Sequence, residues 1–468
     1  MIFETASELA RRIRQREVSV REVMDAHLAQ VERTNPRVNA IVTLCADRAL
    51  DAAKAADAEL AHGAEPGPLF GLPVAHKDLV ETAGIRTTYG SPIFSEFVPK
   101  QDALIVERLR AAGAIAIGKT NVPEFGAGSQ TFNAVFGSTR NPYDFERTCG
   151  GSSGGAAVAL ACGMVPIADG SDMGGSLRNP ASFCNVVGFR PSPGRVPVWP
   201  SRAPWSPFSV LGPMARTVAD VALMLRAIAG PDPRSPIAIR EPASIFAESL
   251  ERDFHGVRIA WSRDLGGLPV DARVTDAIDA RRGVFASLGC EIDDADPDFS
   301  GADEAFGSWR AWLFALGFGR LLERERERIK DTVVWNIEQG LALSGNDLAR
   351  AEVLRAACYH RVREFMERYE FLVLPVSQVP PFELNEPWVR EIDGTRLENY
   401  LDWMRSCYWV TVTGLPAISV PCGFTPEGLP IGVQIVGRHQ HDLEVLRLAH
   451  AFERATGQWR HHPEWVSN

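Results

Sequence analysis

The sequence of 468 residues lacks the features that mark several classes of protein. No stretch approaches the ~18 apolar residues that a membrane span needs. The N-terminal residues MIFETASELARRIRQREVSV contain no apolar core of a secretory signal. Basic residues are not in excess, since 49 Lys and Arg are outnumbered by 59 Asp and Glu, for a net charge of −10. We therefore expect a cytoplasmic protein that binds neither membrane nor nucleic acid.

Cysteine pairs and metal-binding motifs are also missing from the chain. The eight cysteines are scattered with no CxxC pair, and the ten histidines include no HExxH motif. In a chain of this length, scattered cysteines are typical of small apolar core residues in a reducing compartment. The sequence predicts neither a disulfide framework nor a metal site.

Short apolar runs alternate with helical patterns along the chain. Runs such as LFGLPVAHKD and AIAIGKTN are typical of buried strands, and their alternation with helices predicts an α/β core. Ser19 and Glu22 match a capping box, and the helix that they begin should end at Asn35–Pro36. Because no internal repeat, low-complexity tract or clear linker is present, we expect one large domain over residues 1–468.

A glycine-rich loop, TCGGSSGGAAVALACG (Thr148 to Gly163), is followed by an apolar run. It is not a P-loop, because GxxxxGK[ST] needs a lysine that this loop does not contain, and GxGxxG is absent as well. GSSGG formally satisfies the GxSxG nucleophile elbow with Ser153 at its centre. Taken alone, the segment is equally compatible with a glycine turn that ends in a serine N-cap.

Two further segments accompany this loop. The stretch ADGSDMGGSLRNPAS (Ala168 to Ser182) is again rich in glycine and serine, and GLPVAHKD places Lys77 at the end of an apolar strand. A lysine in such a run either extends its ammonium group to the surface or loses its charge. The structural alternative is an ion pair, which the adjacent Asp78 favours.

Together these segments resemble the amidase signature family. The resemblance is carried, in the family's order, by GLPVAHKDLVETAG, KTNVPEFGAGSQTFNAVFGSTRNPYD, CGGSSGGAAVALACG, GSDMGGSLRNPASFCNVVGFRPSPGRVP, LGPMARTVADVALML and GLPAISVPCGF with GLPIGVQIVG. The resemblance is dense over residues 69–214, the signature core. Residues 231–407 diverge from the family pattern and are expected to form the region that faces the substrate. The resemblance implies one α/β domain with a central mixed, twisted sheet flanked by helices. It also implies no metal or organic cofactor and allows a homodimer through the N-terminal helices.

The family hydrolyses amides with a Ser-Ser-Lys triad. Matching residue by residue, the resemblance assigns Lys77 as the base, Ser152 as the bridging serine and Ser176 as the nucleophile, and leaves Ser153 a supporting role. The chemistry is reasonable, because a serine hydroxyl attacks only when a base removes its proton. Lysine is a base only when neutral, so burial must lower its pKa from ~10.4 to roughly 7–8.

The resemblance also implies how the surrounding backbone contributes. The bond between Gly151 and Ser152 should be cis, and Gly126 and Gly128 of EFGAGSQTF should touch the substrate. The oxyanion hole is assigned to the backbone N–H groups of Met173, Gly174, Gly175 and Ser176. The glycines of this loop carry no side chain that could block the approach of a substrate.

One departure from the family and two aromatic clusters bear on the substrate. His76 stands where relatives often carry an apolar residue; it is expected as a packed or exposed neighbour of Lys77, with tuning of Lys77 or substrate contact as alternatives. Aromatic residues cluster in a proline-rich loop and in a helical segment. These clusters are either core packing or an apolar pocket wall: Trp199, Trp205, Phe208, Trp309, Trp312, Phe314 and Phe318.

Three functional hypotheses follow from these patterns. The first is an amidohydrolase that cleaves the C–N bond of a small carboxamide, with an aryl or hydrophobic amide or anilide as substrate. The second is the amidase subunit of a glutamine-dependent tRNA amidotransferase, which needs partner subunits. The third is a non-catalytic relative that only binds amides, against which the intact triad argues.

Overall fold

The predicted alternation of strands and helices is present in the structure, a computed structural model that describes residues 1–466. Within these residues there are fourteen α-helices: α1 (Ala6–Arg14), α2 (Val20–Val38), α3 (Ala46–Ala61), α4 (Leu104–Ala111), α5 (Gly154–Ala161), α6 (Arg178–Phe183), α7 (Val218–Ile228), α8 (Ala272–Asp279), α9 (Arg282–Ser287), α10 (Ala302–Glu325), α11 (Asp331–Ala342), α12 (Gly345–Arg368), α13 (Arg405–Thr413) and α14 (Asp442–Thr456). The same residues form fifteen strands: β1 (Ile41–Leu44), β2 (Pro73–Lys77), β3 (Ile115–Thr120), β4 (Phe132–Asn133), β5 (Gly137–Ser138), β6 (Ile167–Asp172), β7 (Val187–Arg190), β8 (Val210–Ala215), β9 (Arg258–Trp261), β10 (Glu291–Asp294), β11 (Phe371–Pro375), β12 (Glu391–Ile392), β13 (Thr395–Arg396), β14 (Ala417–Phe424) and β15 (Pro430–Gly437).

Eleven of these strands form one mixed sheet in the order β1-β3-β2-β6-β8-β7-β14-β15-β11-β9-β10. Strand β2 is parallel to both β3 and β6, and β9 is parallel to both β10 and β11. The other neighbours are antiparallel. Helices pack on the sheet, among them α5, α6, α7 and α14. The predicted single α/β domain with a central mixed sheet is confirmed.

Helix α5 is buried along its whole length and packs against β2, β3 and β6. Its first two residues must be glycine for this close approach. A Cβ atom on Gly154 would lie 2.2 Å from Thr131 Oγ1, and one on Gly155 would lie 2.3 Å from the Asn121 backbone nitrogen. The glycines after the serine pair therefore allow the helix to approach the centre of the sheet.

The N-terminal prediction is correct except at one helix end. Ser19 and Glu22 form the full capping box of α2, but the helix continues through Pro36 to Val38. Asn39 takes a left-handed conformation and donates its N–H to the Asn35 carbonyl, while the Asn35 side chain accepts the N–H groups that follow. The last turn thus closes around Asn35, whose carbonyl and side chain accept the N–H groups of Asn39, Ala40 and Ile41.

The charged helical pattern in the divergent span forms three helices, α10, α11 and α12. Helix α10 packs against both α11 and α12, and it also contacts α13. In the part of the chain that the structure describes, no helix is both long and apolar enough to cross a membrane. All eight cysteines are free, and all except Cys45 are buried, so they pack in the core as predicted.

Candidate active site

Lys77 is the last residue of β2 and its side chain is completely buried. Its Nζ atom lies 2.8 Å from Ser152 Oγ, 2.8 Å from Ser153 Oγ and 2.9 Å from Ser171 Oγ. These three hydroxyls suit an ammonium group with three donors, and equally a neutral amine with two donors and a lone pair. The site can therefore hold Lys77 in both states that a base must pass through.

Burial lowers the pKa of Lys77 to about 7, although the carboxylates of Asp172 and Asp169 oppose the shift. The alternative of an ion pair with Asp78 is wrong. The Asp78 carboxylate instead accepts hydrogen bonds from the backbone and hydroxyl of Thr88. Within residues 1–466, Lys77 takes part in no ion pair, so burial dominates its titration.

The loop before α5 presents Ser152 to Lys77. The peptide bond between Gly151 and Ser152 is cis, as the resemblance implied. The hydroxyls of Ser129 and Thr131 donate to the carbonyls of Gly151 and Gly150 and so hold the loop from the other side. Ser152 is 3% exposed, so its hydroxyl is screened from bulk water.

Ser153 stands at the start of α5, but its side chain makes no capping bond there. It is fully buried, and its hydroxyl accepts from Lys77 instead. Ser171 provides the third hydroxyl at Lys77, and sequence reasoning missed it. The available signal was a serine two residues beyond Asp169 on the strand next to β2.

The MGGS loop, Met173 to Ser176, follows β6 directly. Ser176 is half-buried, and its carbonyl accepts the N–H of Ser153 at 3.2 Å, so the two serine-bearing loops are in contact. The Gly175 N–H donates to Asp172 Oδ1 at 3.0 Å. Among the described residues, the N–H groups of Met173, Gly174 and Ser176 have no partner. Three of the four assigned oxyanion donors are therefore free.

Asp172 holds this loop in place from beneath. It is fully buried and binds the side chains of Arg178 and Arg190 as well as the N–H groups of Gly175 and Leu177. Burial alone would raise the pKa of Asp172, but the two arginines outweigh it and hold the pKa well below its usual range. The carboxylate is thus a permanent anchor for the loop that carries Ser176.

His76 lies next to Lys77 and is 2% exposed. Its Nδ1 is hydrogen-bonded to Asp169, whose other carboxylate oxygen accepts the Lys77 backbone N–H at 2.8 Å. One carboxylate therefore holds two consecutive residues of β2. His76 is a packed neighbour of Lys77, as expected.

Replacement of His76 by leucine should raise the pKa of Lys77, so that a smaller fraction of Lys77 is neutral and able to accept a proton at pH 7. Without its imidazole partner, the Asp169 charge is less compensated, and a nearby negative charge favours the ammonium form. We expect the acidic limb of the kcat/KM profile to move by about one pH unit to higher pH. His76→Gln, which keeps a donor, should move it less. An unchanged midpoint in His76→Leu would limit this residue to packing.

Gly126 and Gly128 border the loop that carries Ser152. Gly126 has φ +72°, and a Cβ atom there would lie 2.9 Å from Leu79 Cδ1 and 3.5 Å from Ser152 Oγ. Gly128 has φ +105°, and its Cβ atom would lie 4.0 Å from Tyr400 Cε2. Their predicted contact with substrate stays a prediction, but the structure places Gly126 beside the bridging serine.

Gly126→Ala should lower kcat/KM by about tenfold, because a displacement well under 1 Å disturbs an aligned site. Gly137→Ala is the matched control. Gly137 also has a positive φ, +77°, but open space around its Cβ position. Both variants carry a backbone strain of ~1–2 kcal/mol. Any larger loss of kcat/KM in Gly126→Ala, measured by steady-state kinetics, therefore reports the contact with Leu79 and Ser152. Equal losses in the two variants would contradict this role of Gly126.

A cavity opens beside Gly128, and we call it the Tyr400 cavity. Its walls come from the loop after β3 and from the divergent span: Ala127, Gly128, Ser129, Gln130, Phe132, Lys330, Thr332, Pro387, Trp388, Tyr400 and Trp403. Lys330 Nζ lies 4.0 Å from the centre of the Phe132 ring, and burial lowers the pKa of Lys330 to about 8. The cavity thus joins aromatic walls to polar groups.

The aromatic clusters singled out in the sequence do not form this wall. Trp205 is 72% exposed, and the rings of Phe208 and Trp309 stack on each other. Phe314 and Phe318 pack with Phe125 in a second small core. Core packing is thus observed for Phe208, Trp309, Phe314 and Phe318, and the pocket wall stays a prediction. Other aromatic residues line the Tyr400 cavity.

The site thus combines a buried lysine, a serine after a cis peptide bond that is hydrogen-bonded to it, and a second serine on an adjoining glycine loop. The sequence model of the Amidase family matches residues 22–446. The chain belongs to the amidase signature family, whose members are hydrolases that act on the C–N bonds of amides. In residues 1–466, no three His, Cys, Asp or Glu side chains are grouped to hold a metal ion.

Particular relatives span nearly the whole chain. A glutamyl-tRNA(Gln) amidotransferase subunit of Geobacillus kaustophilus is 36% identical, with 98% of each chain covered. An acylamidase of Rhodococcus erythropolis is 35% identical, over 96% of this chain and 94% of that one. The crystal structure of a bacterial aryl acylamidase superposes with a TM-score of 0.92 at 29% identity, with 98% of each chain covered.

Proposed function

We propose that the protein is a free-standing amidohydrolase that cleaves a small carboxamide through an acyl-enzyme on Ser176. One observation carries the proposal: Lys77, fully buried and with a pKa of about 7, lies 2.8 Å from Ser152 Oγ. A lysine that is partly neutral at physiological pH can accept a proton through that hydroxyl. The contact between Ser153 and Ser176 supports a relay that reaches the nucleophile.

The proposed reaction runs in two halves. Ser176 Oγ attacks the amide carbon while its proton passes through Ser152 to Lys77. The N–H groups of Met173, Gly174 and Ser176 stabilise the resulting oxyanion. The proton then returns along the relay to the amide nitrogen, the C–N bond breaks, and the amine leaves. Water attacks the acyl ester by the same path and regenerates Ser176.

We further propose that the substrate presents an aryl or other apolar surface to the protein. Phe132, Trp388, Tyr400 and Trp403 line the Tyr400 cavity beside Gly128, and such rings bind flat apolar groups well. The cavity measures about 20 Å³, so a substrate ring enters only if these walls move apart. In this proposal residues 69–214 supply the chemistry and residues 231–407 the substrate walls. The similarity to an acylamidase and an aryl acylamidase agrees with this class.

The amidase subunit of a glutamine-dependent amidotransferase is the second candidate. The similarity to the Geobacillus kaustophilus subunit favours it. Glutamine, however, carries an ammonium group that a binding site pairs with a carboxylate. None of the described residues that line the Tyr400 cavity is Asp or Glu, which favours the free-standing amidase. A cytoplasmic location and a homodimer stay predictions.

A panel of amides tests the proposal. Ammonia or amine release would be measured with glutamine, short aliphatic amides, aryl amides and anilides, on the purified chain without partners. We expect turnover of aryl or hydrophobic amides and none of glutamine. Turnover of glutamine alone would favour the amidotransferase subunit. Binding of amides without turnover of any would favour the non-catalytic relative.

A further inference from the structure

Arg310 of α10 is 5% exposed and lies over the loop that carries Ser176. One of its terminal nitrogens donates to Met173 Sδ at 3.5 Å, at the start of that loop. One turn earlier on α10, Phe306 faces the same loop, since a Cβ atom on Gly174 would lie 3.3 Å from its ring. The guanidinium group is therefore next to the assigned oxyanion donors.

The partners of Arg310 are all uncharged. Its Nε donates to Asn336 Oδ1 at 3.2 Å and its other terminal nitrogen to Tyr400 Oη at 2.9 Å. A thioether is a weak acceptor, so the nitrogen beside Met173 has most of its bonding capacity left. No ion pair within residues 1–466 includes Arg310. Because a guanidinium group stays protonated in proteins, a buried positive charge without a counter-ion is left at this point.

Other buried arginines of the chain have acidic partners or several backbone carbonyls, although the Nε atoms of Arg190 and Arg216 have no partner within residues 1–466. Arg178 and Arg190 pair with a buried aspartate, and Arg195 pairs with two acids. Arg216 donates to three backbone carbonyls instead. Arg310 has neither arrangement: its guanidinium group lies 4.6 Å from the centre of the Phe314 ring and keeps a terminal nitrogen whose one partner is the Met173 thioether.

Polar atoms near Arg310 are also left without partners. Tyr400 Oη accepts from both Arg310 and Asn336, which leaves the phenol proton free to be donated. In the Tyr400 cavity, Gln130 is 4% exposed, and its Oε1 has no hydrogen bond within the described chain; neither has Thr332 Oγ1. Lys330 adds a second positive charge to the same walls. Arg310, the Tyr400 hydroxyl and Lys330 are donors that suit an anionic ligand, whereas Gln130 Oε1 can only accept a hydrogen bond.

We propose that the substrate amide carries a carboxylate, and that Arg310, assisted by the Tyr400 hydroxyl, binds this group and determines specificity. A planar carboxylate fits the fork of a guanidinium group and supplies the missing counter-ion. Tyr400, which binds Arg310 and also lines the Tyr400 cavity, would contact the hydrocarbon part of the same molecule. This inference rests on the proposed amidase function and narrows its substrate to anionic amides without an ammonium group, which distinguishes them from glutamine.

Two pairs of amides that differ in one charge test the inference. Succinamate with butyramide places the carboxylate on the acyl part, and 4-acetamidobenzoate with acetanilide places it on the amine part. We expect the wild type to prefer the anionic member of at least one pair by tenfold or more in kcat/KM. Arg310→Gln should lower kcat/KM for that anionic amide by about 100-fold, and for its neutral partner by far less.

Arg320→Gln is the matched control, since Arg320 is an exposed arginine on the same helix. It removes the same charge, so it should leave the preference intact. Arg310→Lys keeps the positive charge but loses the planar guanidinium group, so it should retain part of the preference for the anionic amide. This variant also tests the inference if Arg310→Gln does not fold. Equal losses on both members of each pair, or no anionic preference in the wild type, would overturn the inference while the amidase proposal stands.

Thermal unfolding with the product-like anions succinate and 4-aminobenzoate separates the two proposals. A ligand that binds the folded state raises its Tm whether or not catalysis occurs. We expect both anions, compared with chloride at equal ionic strength, to raise the Tm of wild type and Arg320→Gln more than that of Arg310→Gln. If no amide is cleaved, the amidase proposal fails. A rise in Tm that depends on Arg310 would still support carboxylate binding, and the absence of such a rise would reject carboxylate binding.

Discussion

Ser176→Ala is expected to lower kcat by about 10⁴-fold or more and to abolish formation of the acyl-enzyme. The substitution removes only the attacking hydroxyl. Ser176 is half-buried, and its backbone carbonyl, which holds the Ser152 loop through Ser153, is retained. The Tm should therefore change little. Steady-state kinetics on an aryl amide and mass spectrometry after an acylating trap would measure the loss.

The control for this experiment is Ser201→Ala, which removes a hydroxyl from an exposed position. It should react with the trap and turn over substrate like the wild type. Peptide mapping should locate the adduct on the segment that contains Ser176. An unchanged kcat in Ser176→Ala, or an adduct on Ser152 or Ser153, would reject Ser176 as the nucleophile.

Lys77→Ala should have the second large effect, a loss of about 10³-fold or more in kcat/KM at pH 7. In the wild type, the pKa of about 7 means that kcat/KM rises with pH below 7 and levels off above it, because only the neutral amine accepts a proton. In Lys77→Ala this step should vanish, and hydroxide should restore part of the activity at alkaline pH. A near-normal rate with the wild-type profile would mean that another group is the base.

Replacing Lys77 by an apolar residue should stabilise the folded protein although it removes activity. Between pH 7 and about 10, Lys77 is protonated in the unfolded chain and neutral in the folded one, so stability rises with pH across that window by up to ~1.4 kcal/mol per pH unit. Lys77→Met lacks this dependence. Its free energy of unfolding, relative to the wild type, should be most favourable near pH 7 and fall towards pH 10. Denaturant titrations at several pH values would measure it.

The sequence by itself determined the family, the α/β class and the segments that meet at the site. It did so because each motif is a continuous stretch of sequence that lies at the end of a strand, so the strands place the motifs relative to one another. Lys77 ends an apolar strand, and the glycines around Ser152 and before Ser176 keep side chains out of two tight loops. Local rules of this kind also predicted the capping box of α2, but not its last turn, which depends on the side chain of Asn35.

Only the tertiary structure decided which side chains surround these motifs. Ser171 and Asp169 reach Lys77 and His76 across neighbouring strands, and Phe314 and Phe318 of α10 pack with Phe125 and with residues of α11. The pattern of a helix does not say which of its faces meets a cavity. The isolation of Arg310 likewise emerges only when residues 137 and 90 positions away are brought beside it. Burial, which lowers the pKa of Lys77 and leaves that arginine without a counter-ion, is a property of the packed chain, because only packing removes water from a charged group.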